Sequence, residues 1–406
     1  MTKRKILFIP ALFYLSNKLF FPIVPYLKGV ESIYLDCDYA LNNKYCKDYT
    51  QEIELIKISF DRTEIIHTST EYDSASDKNI LSSFRHYRKK RVYNRKTLKS
   101  IKSINPDLIV LTSDKTDVFK LITNYFNRIP LLVIQQAGIA NTLRPRPNLR
   151  MRIRHHLLKN LFHYPTLPNL KTTNGNNLHF AYWAKFWNES PKNTINSYYT
   201  GYGAQDADIL KGNSKLYKSF QLNQTLKVLY TTQPIGLNHS SVKSEYIPKM
   251  VLDYVIDNPA VNLTVKVHPR ENEEFYKEFF SHDGIGIENV QVVKDVLLDN
   301  LIEESDIILT AWSMTSYQAI ALGVPVISLN PDNLFEYSKF FPGKCIPQVS
   351  NNEELHEAIQ YFSSQGGHTN FIQERKDFLK VINTHDDGQC SKRIADLIIN
   401  LANGNV

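Results

Sequence analysis

The sequence predicts an α/β protein of two domains, each built on a parallel sheet that is covered by helices. At 406 residues the chain is longer than one compact core usually accommodates. Strand-like and helix-like segments alternate along almost all of it, which is typical of parallel sheets with crossover helices. The alternation forms two similar blocks that meet near residues 190–225, so we expect two Rossmann-like domains that face each other across a cleft.

The first block begins with the apolar segment "KILFIPA", residues 5–11, which predicts the first strand. The segments "ESIYLDC" and "IELIKIS" predict two more short strands, whereas residues 61–79 are polar and show no clear period. The segments "PDLIVLTSD", "KTDVFKLITNYFN" and "IPLLVIQQAG" then predict a strand, a helix and a strand. This order indicates a βαβ unit of a parallel sheet.

The second block repeats the pattern. Its strand-like segments are separated by helix-like ones and read "TLKVLYTTQP", "VNLTVKVHP", "SDIILTAWS" and "VPVISLN". From this organisation we predict a first domain at residues 1–200, a second domain at residues 201–385 and a C-terminal helix at residues 386–406.

Composition and targeting signals favour a cytoplasmic protein. The hydrophobic fraction of 42% and charged fraction of 22% are those of a soluble globular chain. The basic, apolar N-terminus is similar to a signal peptide, but Pro10, Asn17, Lys18 and Pro22 interrupt it. The four cysteines have neither CxxC nor metal-ligand spacing, as expected in a reducing compartment. We expect the protein in the cytoplasm, free or peripheral at the inner face of the plasma membrane.

The net charge of +7 is concentrated in two clusters, "RHYRKKRVYNRK" at residues 85–96 and "RPRPNLRMRIRHHLLK" at residues 144–159. Each cluster fits either a solvated helix face or a surface that attracts anionic lipid headgroups or an acidic substrate. Neither contains the glycine–aromatic, zinc-finger or helix-turn-helix patterns of nucleic-acid-binding proteins. No nucleic-acid partner is therefore expected.

Three polar clusters follow predicted strands of the second block. Because ligands of open parallel sheets bind beyond the carboxyl ends of the strands, we expect the clusters to meet at one sheet edge. They comprise Thr231, Thr232 and Gln233, then His268, Pro269 and Arg270, then Trp312, Ser313, Thr315 and Ser316.

The last of these clusters lies between a strand and a helix. Hydroxyls at a helix start cap free N–H groups, and the same geometry binds phosphate. A plain cap accounts for only one of the three hydroxyls at Ser313, Thr315 and Ser316. The sequence therefore predicts a phosphate site at the start of this helix.

The segment "TVKVHPREN" places an imidazole, a rigid turn and a guanidinium at one strand end. His268 is either an ordinary strand-end histidine or, as an imidazolium beside Arg270, part of a grip on a phosphate leaving group. The glutamates at positions 271, 273 and 274 are interpreted as the acidic first turn of a helix.

The order of "KVHP", "SDIILTAWSMTSYQAIALGVPVI" and "HDDGQCSKRIADLI" resembles the C-terminal half of GT-B glycosyltransferases that build bacterial capsule or lipopolysaccharide. Bacterial sialyltransferases, CDP-glycerol glycerophosphotransferases and UDP-N-acetylglucosamine 2-epimerases carry a similar His-Pro and Ser/Thr arrangement. "TGYGAQD", residues 200–206, resembles the junction between their domains. The resemblance covers residues 179–400 and implies an acceptor-binding first domain and a nucleotide-sugar-binding second domain.

The resemblance implies that His268 contacts the donor phosphate and assists departure of the nucleotide, while Ser313, Thr315 and Ser316 hold phosphate oxygens. Gln318 stands where many members carry a glutamate that binds ribose. "VIQQAGI" resembles a glutamine–histidine–glycine segment in which Ala137 replaces the histidine. The predicted acceptor-binding residues are Gln136, Gly138, Arg144 and Arg146.

An inverting transfer needs a base that deprotonates the acceptor hydroxyl, and a carboxylate of the first domain is the usual solution. Asp114 and Asp117 follow the strand "LIVL", where each could instead cap a helix; we assign the base to Asp114. GT-B enzymes generally work without a bound metal, and "DCD" and "DAD" are poorly placed for a metal site. We expect neither a metal nor a cofactor.

The leading hypothesis is an inverting glycosyltransferase that moves a CMP-activated acidic sugar, or the sugar of a UDP donor, to a glycan or lipid-linked acceptor. Three alternatives remain open: a non-hydrolysing UDP-sugar 2-epimerase, a CDP-polyol phosphotransferase and a non-catalytic nucleotide-binding scaffold. An epimerase needs several acidic catalytic residues in the first domain, and this sequence offers no convincing set there. The scaffold is kept open by Ala137 and Gln318.

Overall fold

A computed structural model of the protein describes residues 3–10, 13–37, 50–66, 80–114, 116–136, 149–168, 177–187, 196–216, 225–234, 245–282, 285–311, 313–333 and 341–405. The chain divides into two compact units. The first comprises Met1–Ala204 and Gln389–Val406, and the second Gln205–Gly388. None of the helices in the described ranges combines the length and the apolar character needed to cross a membrane.

The first unit contains a parallel sheet of seven described strands. They are β1 (Arg4–Ile9), β2 (Val30–Cys37), β3 (Arg62–Ile66), β4 (Leu108–Leu111), β5 (Leu131–Ile134), β6 (Leu178–Tyr182) and β7 (Asn196–Tyr199). The strand order is β3-β2-β1-β4-β5-β6-β7. The strands before β4 are added to one side of β1 and the later strands to the other, so the strand order reverses between β1 and β4. Open α/β sheets usually bind ligands at such a switch point.

Helices cover both faces of this sheet. They are α1 (Phe13–Phe20), α2 (Thr50–Ser59), α3 (Ile80–Ile104), α4 (Asp117–Tyr125) and, at the end of the chain, α13 (Cys390–Asn403), while α5 (Leu149–Phe162) packs against α3. Successive residues of β1 point to opposite faces. Phe8 packs in one core with Ile394 and Ile398 of α13, and Leu7 packs in the other with Ile101 of α3.

Two expectations for the first unit were wrong. The segment "IELIKIS" lies in α2 rather than in a strand, and the strand β3 lies in the region 61–79 that showed no period. Ile56 and Phe60 are buried, whereas Leu55 and Ile58 are exposed. Burial four residues apart is the helical period, which overrides the local alternation of apolar and polar residues.

The second unit contains a six-stranded parallel sheet among its described residues. Its strands are β8 (Leu226–Thr231), β9 (Val261–Lys266), β12 (Val290–Val293), β13 (Ile307–Thr310), β14 (Val326–Leu329) and β15 (Gln348–Val349). The order is β12-β9-β8-β13-β14-β15. A short antiparallel hairpin joins β10 (Ser281–His282) to β11 (Ile285–Gly286). The α/β fold with parallel sheets predicted from the sequence is confirmed.

The helices of the second unit alternate with these strands. They are α6 (Asp206–Leu216), α7 (Tyr246–Asp257), α8 (Glu273–Phe279), α9 (Leu298–Glu304), α10 (Met314–Ala321), α11 (Asn352–Phe362) and α12 (Gln365–Asn383). The "DDG" segment forms the turn before α13, as expected from the sequence, with Gly388 at a φ of 65°.

A buried arginine of α12 fixes the C-terminal end of α10. Arg375 is 1% exposed and donates to the carbonyl oxygens of Ile320 and Ala321 at 2.6 Å. It also donates to Asn213 Oδ1 on α6 at 2.7 Å. A cation at this end complements the helix dipole and satisfies carbonyls that have no partner within the helix. Because α10 is held at its C-terminal end, its N-terminus has a defined position at the sheet edge.

We expect Arg375→Met to lower the free energy of unfolding by about 3 kcal/mol, because three hydrogen bonds of the buried guanidinium, to the carbonyls of Ile320 and Ala321 and to the Asn213 side chain, are lost. Chemical denaturation measures the change. Lys380→Met serves as the control, since Lys380 is an exposed cation of the same helix. Equal stabilities of the two variants would contradict the role of Arg375 as an anchor.

Candidate functional site

The candidate site lies at the carboxyl edge of the second sheet, where the neighbouring strands β12, β9, β8 and β13 end in register. Thr231, the last residue of β8, is paired with Lys266 of β9 and with Thr310 of β13. Lys266 is paired in turn with Val293 of β12, and Thr310 with Ser328 of β14. Since β9 and β13 both neighbour β8, their ends are two strand spacings, about 10 Å, apart. The three polar clusters therefore follow adjacent strands.

A carboxylate connects the first two clusters. Thr232 donates its hydroxyl to Glu271 Oε2 at 2.6 Å and accepts the backbone N–H of His268 at 2.8 Å. Tyr276 donates to Glu271 Oε1 at 2.9 Å, and Lys294 donates to the backbone carbonyl of Glu271 at 2.6 Å. These bonds hold the end of β8 to the turn after β9.

The expectation that Glu271 belongs to the first turn of a helix was wrong. The helix α8 starts at Glu273 and has Glu273 and Glu274 in its first turn, with Asn272 as the cap. Glu271 precedes this cap and bonds Thr232, which is 39 positions earlier in the sequence. Spacing along the chain gives no signal for such a contact. The residue emerges only when the fold brings the two strand ends together.

The hydrogen bond within the His268 turn fixes the imidazole tautomer. The backbone N–H of Arg270 donates to His268 Nδ1 at 3.1 Å. An acceptor nitrogen carries no proton, so in the neutral ring the proton is on Nε2. Pro269 lies between the two residues and restricts the turn. Nε2–H is thus the ring's donor, with no partner among the described residues.

Burial and three cations disfavour the charged form of this histidine. The pKa of His268 is lowered by desolvation and, to a smaller extent, by Arg270, Lys266 and Lys294. The structure therefore favours the neutral ring over the imidazolium expected from the sequence. An anion bound beside the ring would raise this pKa again, because negative charge favours the protonated form.

The third cluster forms the start of α10. Ser313 is the N-cap, and its Oγ accepts the N–H of Thr315 at 3.2 Å and donates to Thr315 Oγ1 at 3.0 Å. The backbone carbonyl of Ser313 accepts the N–H of Ser316 at 3.0 Å. This cap leaves the N–H of Met314 without a partner in the described part of the chain. A free amide at the positive end of a helix favours an anion.

Two buried hydroxyls at this edge have no hydrogen-bond partner among the described residues. They are Thr231 Oγ1 and Ser316 Oγ. By contrast, the buried Ser328 hydroxyl donates to the carbonyl oxygen of Ala311 at 2.8 Å. Leaving a buried hydroxyl without a partner costs about 1–3 kcal/mol, so proteins rarely retain one without a reason.

The remaining predicted donor-side residues are less involved in this geometry. Gln233 is half-buried just beyond Thr232, and Pro269 and Arg270 are exposed. Gln318 Nε2 donates to Asp299 Oδ1 at 2.8 Å. Trp312 lies outside the described residues.

In the first unit, Asp114 is half-buried in the loop that follows β4. It does not cap α4. The cap is Thr116, whose Oγ1 accepts the N–H of Phe119 at 3.1 Å. Asp114 is therefore placed at the carboxyl edge of the first sheet, where a ligand of this unit is expected.

Asp117 is occupied by cations instead. Its carboxylate accepts from Lys90 at 2.9 Å and from Lys120 at 3.0 Å, and Tyr164 donates to it at 3.3 Å. Burial raises the pKa of Asp117, but the two lysines outweigh this effect and the pKa is below its ordinary value. Burial lowers the pKa of Lys90 to about 8 despite the carboxylate. The group is an internal ion-pair network, which argues against Asp117 as a base.

Among the predicted acceptor-side residues, only Gln136 is described. It is half-buried after β5, and its Nε2 has no partner within the described ranges. The preceding Gln135 is structural, since its Oε1 and carbonyl oxygen accept two N–H groups of Trp183 at 2.9 and 2.8 Å. Gly138, Arg144 and Arg146 lie outside the described residues.

Residues 252–400 match the family model described as CDP-glycerol:poly(glycerophosphate) glycerophosphotransferase. The matched region includes the His268 turn, α10 and α12, and covers less than half of the chain. No curated protein matches the sequence.

Solved structures are similar to the chain over almost its whole length. A putative UDP-N-acetylglucosamine 2-epimerase from Listeria monocytogenes has 16% identity and a TM-score of 0.61, covering 98% of this chain and 96% of its own. The glycotransferase of kitacinnamycin has 11% identity and a TM-score of 0.62, covering 99% and 100%. The UDP-GlcNAc 2-epimerase from Neisseria meningitidis, solved with UDP-GlcNAc, has 16% identity and a TM-score of 0.57, covering 98% and 100%. At these identities the likeness shows the fold, which is the two-domain GT-B fold.

We expect the His268 ring to titrate below 6.5, its ordinary pKa. Arg270→Gln should move the midpoint upward, because one of the cations that repel the proton is removed. Since the folded protein binds this proton less readily than the unfolded chain, His268 destabilises the fold as the pH falls below 6.5. NMR titration of the ring measures the midpoint. The control Lys249→Gln should leave the midpoint unchanged, because Lys249 is not among the cations that lower this pKa. An unchanged midpoint in Arg270→Gln would contradict the electrostatic account.

Proposed function

We propose that the protein is a transferase that uses a nucleotide-activated donor and holds the donor phosphate at the carboxyl edge of the second sheet. The observation that carries the proposal is the shared register of β9, β8 and β13. These strands end at the same level, so the three polar clusters that follow them lie side by side. The fold supports a nucleotide ligand at this edge, because open α/β sheets bind ligands there.

In this proposal His268 donates Nε2–H to an oxygen of the leaving phosphate, and α10 presents its amides and hydroxyls to the other oxygens. The bond from the donor group to the phosphate oxygen breaks as the acceptor hydroxyl attacks. We assign Asp114 as the base that takes the proton of that hydroxyl. The leaving nucleotide keeps the bonding electrons, and its developing charge is stabilised by donors already in place.

We infer that the leaving nucleotide is CMP. Transfer of a sugar from a CMP-sugar and transfer of a polyol phosphate from a CDP-polyol both release it. The family match over residues 252–400 supports a cytidine-linked donor, since that family's printed description names CDP-glycerol. Sugar transfer to a glycan or lipid-linked acceptor of capsule or lipopolysaccharide synthesis is our first choice. Polyol phosphate transfer is the second candidate, favoured by the same match.

The proposal assigns no metal and no cofactor. Arg270, Lys266 and Lys294 are close enough to His268 to lower its pKa, and in this proposal they supply positive charge near the donor phosphate. Charge neutralisation by these side chains is the role that a metal would otherwise take. Addition of EDTA should therefore leave turnover unchanged in this account.

Incubation with CMP-sugars, CDP-glycerol and UDP-GlcNAc, each with and without glycan and lipid-linked acceptors, tests the proposal. We expect acceptor-dependent release of CMP. A glycosidic product indicates sugar transfer, and a phosphodiester product indicates polyol phosphate transfer. Isomerised UDP-GlcNAc without acceptor would establish the epimerase instead, and binding without turnover on every acceptor would establish a scaffold.

His268→Ala should lower turnover by about 10²–10³-fold, which is the usual loss when one hydrogen-bond donor to a developing negative charge is removed. The thermal midpoint should change little, because the backbone N–H of residue 268 still donates to Thr232. His356→Ala is the control, as His356 lies on α11, away from the carboxyl-edge residues. Parallel losses of turnover and stability in His268→Ala would mean that the ring is structural.

Ser316→Ala should leave the free energy of unfolding unchanged or raise it by about 1 kcal/mol, because it removes a buried hydroxyl that has no described partner. Ser328→Ala, the matched buried serine, should lose about 1 kcal/mol together with its bond to Ala311. The stabilisation by CMP should be reduced in Ser316→Ala. For the wild type, CMP at a hundred times its dissociation constant should add about 2.7 kcal/mol to the free energy of unfolding. A destabilised Ser316→Ala with unaltered CMP binding would contradict a ligand role for this hydroxyl.

A further inference from the structure

The helix α5 exposes a row of large apolar side chains. Leu149 is 73% exposed, Ile153 53%, Leu157 51% and Leu161 58%. They recur every four residues, so they lie on one face and form a ridge. At a rise of 1.5 Å per residue the ridge is about 18 Å long. Only Leu158 of this helix is buried.

Cations flank the ridge on both sides. At 100° per residue, Arg150 and Arg154 lie along one flank and Arg152 along the other. The helix "LRMRIRHHLLKNLF" contains no acidic residue. An apolar face bordered by arginines also occurs in helices that lie in the plane of a membrane surface.

The neighbouring helix α3 extends this surface. Tyr87 of α3 accepts a hydrogen bond from Arg154 at 3.0 Å, and its ring lies 5.7 Å from that of Phe162. A groove of about 630 Å³ opens between the helices and is lined by Tyr87, Leu149, Ile153 and Leu157 with two arginines. The 25 residues of α3 also include no aspartate or glutamate. The two helices thus form one cationic surface with an apolar centre.

We propose that α5 docks the protein on an anionic lipid bilayer, with the ridge inserted among the acyl chains and the flanking cations on the lipid phosphates. The absence of acidic residues along both helices selects an anionic partner, and the ridge requires that this partner has an apolar interior. A polyanionic glycan would satisfy the charges but would leave the four apolar side chains in water. This docking is independent of the transfer chemistry at the second sheet.

Electrostatic and apolar contacts contribute separately, so they can be removed separately. Each arginine near an anionic surface strengthens binding about fivefold, and this part weakens as salt screens the charges. Burial of an isoleucine or leucine contributes a further tenfold or so. Binding through the arginines alone would not need the apolar ridge, and binding through the ridge alone would not need the arginines.

The experiment uses the full chain and vesicles of phosphatidylcholine with or without phosphatidylglycerol, with the bound fraction measured by sedimentation. Two double variants are tested. The serine variant carries both Ile153→Ser and Leu157→Ser, and the glutamine variant carries both Arg150→Gln and Arg152→Gln. The matched control is Ile256→Ser with Leu210→Ser, since both residues are 54% exposed but lie in the second unit. Circular dichroism checks the fold of every variant.

We expect the wild type to bind only those vesicles that contain phosphatidylglycerol. The affinity should be reduced roughly tenfold or more in the serine variant and in the glutamine variant. The control variant should bind like the wild type. The proposal is overturned if the wild type does not bind these vesicles or if the serine variant binds as well as the control. It is also overturned if the ridge instead mediates a dimer that Ile153→Ser and Leu157→Ser dissolve in the absence of lipid binding.

Discussion

The parallel register of the second sheet is the constraint on which the candidate site depends. Thr231 is hydrogen-bonded in register with neighbours on both sides, so the residues that follow β9, β8 and β13 emerge at one level. A shift of one strand by one residue would turn its side chains to the other face. The site is therefore positioned by backbone hydrogen bonds of a buried core, and the polar side chains need only reach a short distance beyond it.

Contacts between sequence-distant residues complete this arrangement. Glu271 bonds the hydroxyls of Thr232 and Tyr276, and Arg375 holds the far end of α10. Each places one element of the site relative to another without touching the expected ligand position. Positioning of this kind lowers the reorganisation needed when charge develops on a leaving group.

Much of the fold follows from local patterns, whereas part of the site does not. The strands that end near Thr231, His268 and Ser313 could be predicted because apolar or alternating segments end there in polar residues. The segment "IELIKIS" misled because its alternation over seven residues outweighed the helical spacing of Ile56 and Phe60. Glu271 and Arg375 gave no signal, since their partners are remote in sequence. The pKa of His268 is lowered first by desolvation and then by Arg270, Lys266 and Lys294, which only the folded chain brings together around the ring.

The two units present two different surfaces to anions. The second sheet offers a half-buried edge of amides, hydroxyls and a neutral imidazole, while α5 offers exposed arginines around an apolar ridge. The central claim concerns the sheet edge, and a crystal structure with CMP bound tests it most directly. The account predicts the phosphate within hydrogen-bond distance of both His268 Nε2 and the amides at the start of α10. A phosphate bound elsewhere, or an imidazole that makes no contact with it, would contradict the account.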